Sequence, residues 1–555
     1  MSALRSRDDR VALGLTIAIG LLMLAFLAWP LLSLFGMTTE ARDGSYVGLA
    51  NWTALLSEPR LHVATANSLM VALGTVTIVL PLALAFAFAL TRTRLPGRRV
   101  LRVIALAPML APSLMPAISL VYLFGNQGLL KSWLGEASIY GPIGIVLGEV
   151  FYTFPHALLI LVAALSVADA RLYEAAETLG ASKLRRFMTV TLPNARYGVV
   201  AAAMVGFTLV VTDFGIPKVI GGQTNVLALE AYKQVIGQQN FSKGAIIGVL
   251  LLLPAVLSFM VERWLSKRQS GQLSGRSVVY QAGRNAWRDG LLGLLCAATS
   301  VFLLALLGVG CFAAFIKMWP YNMSLTLAHF DFQHLDGGGW QSFRNSARMA
   351  ALVTVFGTSF IFLTAYLLEK SPVPRALGAT IRSLALLPMA VPGLVLGLGY
   401  VLFFNAPGNP LNGLYGTMTL LVIATIAHFY TTAHLTLTTS LRQLDSEIEA
   451  VARSLQRPWW HTFRRVTLPI NLPALLDVAR YLFVSSMTTV SCVIFLYTPD
   501  TELAAVAILN MDDAGDTAAA AAMATLIVAS SLAVTLLMNA AGWWLNRRAQ
   551  AWRAP

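Results

Sequence analysis

Charge is scarce in this chain. Asp, Glu, Lys and Arg make up 12% of its 555 residues, against about 25% in soluble domains. With 57% of the residues hydrophobic, an ordinary water-soluble globule is excluded, because no soluble core uses that much apolar surface. Cysteine is nearly absent. Cys296, Cys311 and Cys492 all fall inside apolar stretches without paired or metal-type spacing, so they read as small packing residues and no metal site is expected. No G-x-x-x-x-G-K-[ST] occurs, so the chain has no phosphate-cradling loop and is not expected to be an enzyme that hydrolyses ATP itself. The segment "QLSGRS" at Gln272–Ser277 reads as linker. Acidic residues are outnumbered by basic ones, 26 to 40, for a net charge of +14. The basic residues come in short clusters between apolar runs, as they do on cytoplasmic loops of membrane proteins, so no nucleic-acid partner is expected.

What the chain has in quantity is long apolar runs. A helix needs about 20 apolar residues to cross a bilayer. Twelve stretches qualify: 11–36, 68–91, 101–124, 142–166, 196–217 and 243–265 in the first half, then 289–316, 346–369, 380–404, 416–439, 471–497 and 517–544. The expected fold class is an all-α polytopic membrane protein with about twelve transmembrane helices, its partner the lipid bilayer. Asp213 and Arg480 interrupt the fifth and eleventh stretches. The first run is longer than a signal-peptide core and no small-residue cleavage pattern follows it, so it reads as a retained span. Placing both ends in the cytoplasm gathers three quarters of the Lys and Arg there, from Arg5, Arg7 and Arg10 to the basic C-terminus. Trp29, Trp264, Trp319, Trp543 and Trp544 mark span ends, as an aromatic belt would.

The chain also repeats itself. "NSLMVALGTV" at Asn67 matches "NSARMAALVTV" at Asn345, and "LAPMLAPSL" at Leu106 matches "LLPMAVPGL" at Leu386. "EAAETLGASKLRRFMTVTLP" at Glu174–Pro193 matches "AVARSLQRPWWHTFRRVTLP" at Ala450–Pro469. Each match is displaced by close to half the chain, with order kept. Residues 1–265 and 289–555 therefore read as parallel six-span repeats, and the polar segment 266–288 as their cytoplasmic join. Secondary transporters also use parallel repeats.

The third matched pair is polar and lies between the fourth and fifth spans of each half. In the first copy "RLYEAAETL" favours a helix broken at Gly180, and "ASKLRRFMTV" a second short helix ended by Leu192-Pro193. The result is a helix-turn-helix along the membrane face. Glu174, Ala175, Ala176, Gly180, Val190, Leu192 and Pro193 resemble the "EAA" loop of bacterial ABC-importer permeases. That resemblance implies a type I importer transmembrane domain in the bacterial inner membrane. It implies two copies of an ABC ATPase, which bind ATP and Mg and receive the two loops, and a periplasmic substrate-binding protein. This chain would itself bind no cofactor. The second copy departs from the pattern. Ala450 stands at the Glu position with Glu449 just before it, Val451 replaces an Ala, and Gln456 replaces Gly, while Ala452, Val466, Leu468 and Pro469 remain. A secondary transporter, the alternative of a different class, has no reason to carry such loops.

A narrower resemblance concerns the solute. "TDFGIPKVIGG" at Thr212–Gly222 and its continuation to Phe259 resemble 2-aminoethylphosphonate permeases first, ferric-iron permeases second, and thiamine or polyamine permeases after those. Charges inside a membrane are costly, so Glu149, Asp213 and Arg480 are expected to face a path or the protein interior. Asp213 and Lys218 offer both signs, either to a zwitterion or to each other. His156, His428 and His434 lack metal spacing. Pro108, Pro112, Pro116, Pro388 and Pro392 are expected to kink or break the third span of each half. The outward segments 38–67 and 318–345, with Trp52 and Trp340, are long enough to help receive a binding protein.

Overall fold

The structure is a computed structural model that describes residues 7–41, 44–166, 170–269, 283, 285–332, 338–445 and 447–549. Arg5, "QLSGRS" and most of the 266–288 join lie outside the described residues. Among those described, nine helices are long and apolar enough to cross a membrane: Asp8–Met37, Pro59–Arg92, Pro142–Ser166, Lys183–Thr212, Phe241–Val261, Ala286–Ala313, Gly339–Lys370, Met418–Arg442 and Thr517–Leu545. Three more spans are helix pairs bent at a short break. They are Arg98–Leu110 with Leu114–Phe124 (101°), Arg375–Ala390 with Gly393–Phe404 (114°), and Trp459–Ile470 with Leu472–Thr488 (74°). Counted as one span each, these pairs bring the total to twelve, one on each expected stretch. Strand is confined, among the described residues, to a two-stranded antiparallel hairpin, Ile316–Met318 with Asn322–Leu325.

Proline accounts for the breaks in the third span of each half. Pro108 and Pro388 sit in single 3-10 turns, Ala107–Leu110 and Leu387–Ala390. The chain then becomes extended at Ala111 (φ −98°, ψ 144°) and Val391 (φ −120°, ψ 113°). Pro112 and Pro392 come next, and a residue before proline is driven out of the helical region by contact with the ring.

The fifth spans differ from expectation. Leu192-Pro193 does not end the second loop helix, which runs on from Lys183 to Thr212. A wide π turn at Phe187–Thr191 precedes the proline. It displaces the carbonyls that the ring would strike and absorbs the missing N–H. The second half has the same turn at Phe463–Thr467 before Pro469, and its helix bends soon afterwards. The far ends are also shorter than the apolar runs. The helices stop at Thr212 and Thr488, and Asp213 (φ −77°, ψ 133°) and Thr489 (φ −75°, ψ 135°) take the same extended conformation.

The first span of each half crosses to the other half and packs on its third span. Phe26 stacks on Phe404 at 5.8 Å, Trp29 meets Phe403 at 6.4 Å, and the Tyr400 hydroxyl donates to the Phe26 carbonyl. Ala286–Ala313 lies against the bent span Arg98–Phe124 in the same way. Both contacts are close enough to need glycine. A Cβ on Gly399 would stand 2.7 Å from the Pro30 carbonyl oxygen, and one on Gly310 would stand 2.6 Å from Ser119 Oγ.

Replacing Gly399 with Val should therefore force the crossed spans apart and cost about 1–3 kcal/mol, the range for overpacking a core. Gly14→Val is the control, since nothing lies within 4 Å of that position. Thermal unfolding of the detergent-extracted protein should show a lower midpoint for the first variant and little change for the second.

Candidate functional site

Where the halves meet, the broken third spans wall a cavity of about 390 Å³. Pro108 and Pro388 line it at equivalent places. The fourth spans contribute Tyr152 and His156 from one half and His428 and Thr432 from the other. These stand at matching positions one helical turn apart, so the backbone repeats while the chemistry does not. The fifth spans supply Asp213 on one side and Thr489 on the other.

Asp213 terminates its helix, and its carboxylate accepts a hydrogen bond from the Ile216 N–H at 2.9 Å. Glu149, on the fourth span, is 0% exposed and lies beside it, close enough for the two carboxyls to interact. Its counterpart in the second half is Thr425, also fully buried, whose hydroxyl donates to the Leu421 carbonyl. Of the expected path residues, Asp213 lines the cavity and Glu149 backs it. Lys218 does neither. Its ammonium pairs with Asp513 at 3.0 Å and lies 6.0 Å from the centre of the Tyr232 ring. Asp213 and Lys218 thus do not pair with each other. Burial pushes the neighbouring Asp512 carboxyl up to about 6, Asp513 adding to the rise and Lys218 opposing it. Two carboxyls therefore compete for one ammonium where the halves touch beyond the cavity.

Arg480 is absent from the cavity wall as well. It pairs with Asp477 at 3.1 Å and donates to Asn539 on the last span. His156 and His428 line the cavity, whereas His434 stacks on Tyr430 away from it. Among the described residues no group of three His, Cys, Asp or Glu could hold a metal ion.

The two polar loops form helix-turn-helix units, as expected. The first comprises Ala170–Thr178 and the helix from Lys183, capped by the Ser182 hydroxyl, which accepts from the Arg185 N–H. The second comprises Glu447–Ser454 and Trp459–Thr462. Glu174, Ala175, Gly180 and Pro193 are exposed, and Ala176 and Leu192 half-buried. Ala450, Gln456 and Pro469 are exposed, and Glu449, Ala452 and Leu468 half-buried. Gly180 turns the first loop at φ +70°. Gln456 turns the second at φ +52°, so the replaced glycine keeps its left-handed backbone. Apolar side chains beside each turn escaped the sequence reading. Leu179 is 85% exposed and Leu184 73%, and Leu455 and Trp460 occupy the matching places, exposed as well. The signal was present as large apolar residues in otherwise polar segments, but the motif holds the eye on Glu, Ala and Gly.

Known proteins resemble this chain in sequence over both halves. The family described as binding-protein-dependent transport system inner membrane component matches residues 78–271 and again 357–549. The ferric transport system permease protein FbpB of Actinobacillus pleuropneumoniae is 26% identical over 530 residues, 92% of this chain and 75% of that one. The putative ferric transport system permease protein FbpB 1 of Haemophilus influenzae is 27% identical over 515 residues, 90% of this chain and 80% of that one. The molybdenum transport system permease protein ModB of Haemophilus influenzae is 28% identical over 219 residues, 38% of this chain and 96% of that one. A crystal structure of a bacterial alginate ABC transporter, in complex with its alginate pentasaccharide-bound periplasmic protein, matches with a TM-score of 0.40 at 16% identity. It covers 49% of this chain and 97% of that one.

A left-handed backbone costs a residue with a side chain about 1 kcal/mol that glycine avoids. Gln456→Gly should therefore steady the second turn, and amide hydrogen exchange in the helix Glu447–Ser454 should slow by about fivefold. Gly180→Gln should speed exchange in Ala170–Thr178 by a similar factor, through backbone strain alone, since nothing lies within 4 Å of that Cβ position.

Proposed function

The chain belongs to the family of binding-protein-dependent transport system inner membrane components, and from that footing we propose that the solute it passes is a cation, ferric iron first. It is the permease of a binding-protein-dependent ABC importer, a transport subunit that performs no catalysis. The observation that carries the proposal is the charge of the cavity. Asp213 lines it, and among the described residues no Lys or Arg reaches the wall. An anion stripped of water there would meet carboxylate and no counter-charge, which is costly in a low-dielectric interior. A hard cation finds carboxylate and phenol oxygens, from Asp213 and Tyr152, of the type it prefers. The names of the two ferric relatives support the same reading. Lys218, which could have served the phosphonate group of 2-aminoethylphosphonate, pairs with Asp513 instead.

The working cycle follows from the two loops. Two ABC ATPase subunits, holding ATP and Mg, dock on the exposed apolar residues Leu179 and Leu184 in one loop and Leu455 and Trp460 in the other. Glu174, Ala175, Ala176 and Gly180 shape the first contact, and Glu449, Ala450, Ala452 and Gln456 the second. Closure of the ATPases draws the loops together, and the two repeats, 1–265 and 289–555, rock about the cavity so that it faces alternately outward and inward. Both termini and the 266–288 join are cytoplasmic, and a periplasmic binding protein delivers solute to the opposite face.

Uptake into proteoliposomes containing the permease, its ATPases and its binding protein tests the solute. Radioactive ferric iron should accumulate with ATP. Asp213→Asn should lower that uptake about tenfold, the effect of losing one favourable charge interaction, while the ATPases still co-purify. ATP-driven uptake of 2-aminoethylphosphonate, with none of iron, would sink the proposal and leave the family assignment standing.

A further inference from the structure

Arg92 and Lys370 end the second span of their respective halves, Pro59–Arg92 and Gly339–Lys370. Both are withdrawn from solvent: Arg92 is 4% exposed and the Lys370 side chain 7%. A cation held that deep needs partners for its donors. The Arg92 guanidinium donates to the Leu165 carbonyl at 2.6 Å, in the last turn of the fourth span. Its central carbon lies 5.2 Å from the centre of the Tyr173 ring, on the first loop helix. The Tyr173 hydroxyl in turn donates to Thr191 Oγ1 at 3.0 Å, in the π turn that leads into the fifth span.

The second half joins the same three pieces by other means. The Lys370 ammonium donates to the Leu444 carbonyl at 3.0 Å, just past the end of the tenth span. It also pairs with Glu449 at 3.5 Å, on the second loop helix. Glu449 precedes Ala450 as Tyr173 precedes Glu174, so it stands where the tyrosine stands in the first copy. A cation–π contact in one half and an ion pair in the other make the same connection. The recurrence of the link across different chemistries singles it out from ordinary packing.

We infer that Arg92 and Lys370 are positioning residues that fasten each loop helix to the feet of the second and fourth spans of its own half, so that a push on the loop moves those spans with it. The inference rests on the reading of the loops as the ATPase contacts. The fourth and fifth spans are joined to the loop by the chain itself; the second needs a separate tie, and these residues supply it. The two ties differ in surroundings. Arg92 and Tyr173 are buried together. The Lys370–Glu449 pair borders a cavity of about 380 Å³ that Asp8 and Asp9 also line, so water stands closer to it, although at 7% and 12% exposure salt screens it little.

The test uses the full importer in proteoliposomes with spin labels. Labels on Ser454 and Thr178 report the approach of the two loops. Labels on Ser454 and Leu435, an exposed residue of the tenth span, report whether the second loop stays fixed to its span. In the unaltered protein, ATP should shorten the first distance and leave the second narrow and unchanged. Lys370→Met should broaden the second distance and lower uptake about tenfold, within the range for residues that carry coupling, while the ATPases still co-purify and hydrolyse ATP. Lys370→Arg, which keeps a cation able to donate to the Leu444 carbonyl and to pair with Glu449, should bring uptake back to within about twofold. If Lys370→Met keeps a narrow loop-to-span distance and full uptake, or if Lys370→Arg fares no better than Lys370→Met, the inference is overturned. If ATP leaves the loop-to-loop distance of the unaltered protein unchanged, the coupling reading fails and the inference falls with it.

Discussion

Inside a bilayer every backbone N–H and C=O must find a partner within the protein, because lipid offers none. The third span of each half breaks that rule locally at Pro108 and Pro388, where the chain turns by 101° and 114°. The breaks are tolerable because neighbouring helices pack on them, the fourth span of the same half on each and Phe241–Val261 on the second. Ala286–Ala313 lies along the arms of one bent span and Asp8–Met37 along the arms of the other. Gly310 against Ser119 and Gly399 against Pro30 let these two helices come close. The cavity exists where it does because the two covered breaks face each other at the meeting of the halves.

The halves repeat in backbone and diverge in chemistry. Asp213 and Thr489 share dihedral angles to within a few degrees, and Gly180 and Gln456 share a left-handed turn. On the cavity wall, however, one half presents Asp213 with Glu149 behind it, and the other presents Thr489 with Thr425. The backbone frame is shared, while one wall carries a carboxyl and the other does not. Fusing both halves into one chain lets each wall differ without disturbing the shared frame.

Much of this was legible in the sequence, and the boundary is physical. Each span announced itself by an apolar window, since insertion depends on local composition. Both loops were legible through spacing, and the broken third spans through proline. What escaped were features that depend on residues far apart in the chain. Lys218 lies five residues from Asp213, yet its partner is Asp513 in the other half. The apolar run to 497 continues past the true helix end at Thr488, because a buried irregular segment is as greasy as a helix. The π turn before Pro193 leaves no pattern that proline in a helix would not also leave. Arg92 read as one more basic residue at a span end, where a positive charge is ordinary.

The crossed first spans also govern how the chain can be made. A ribosome feeding the membrane completes the first half well before Ala286–Ala313 emerges. Until it does, the arm Leu114–Phe124 lacks the helix that packs on it, and the first half cannot settle into its final shape. Assembly is therefore ordered in time, with the early half held open for a helix still to be synthesised. Insertion factors that shield unpaired backbone would matter most during that interval, and a chain cut at the join would leave two fragments, each waiting for the other.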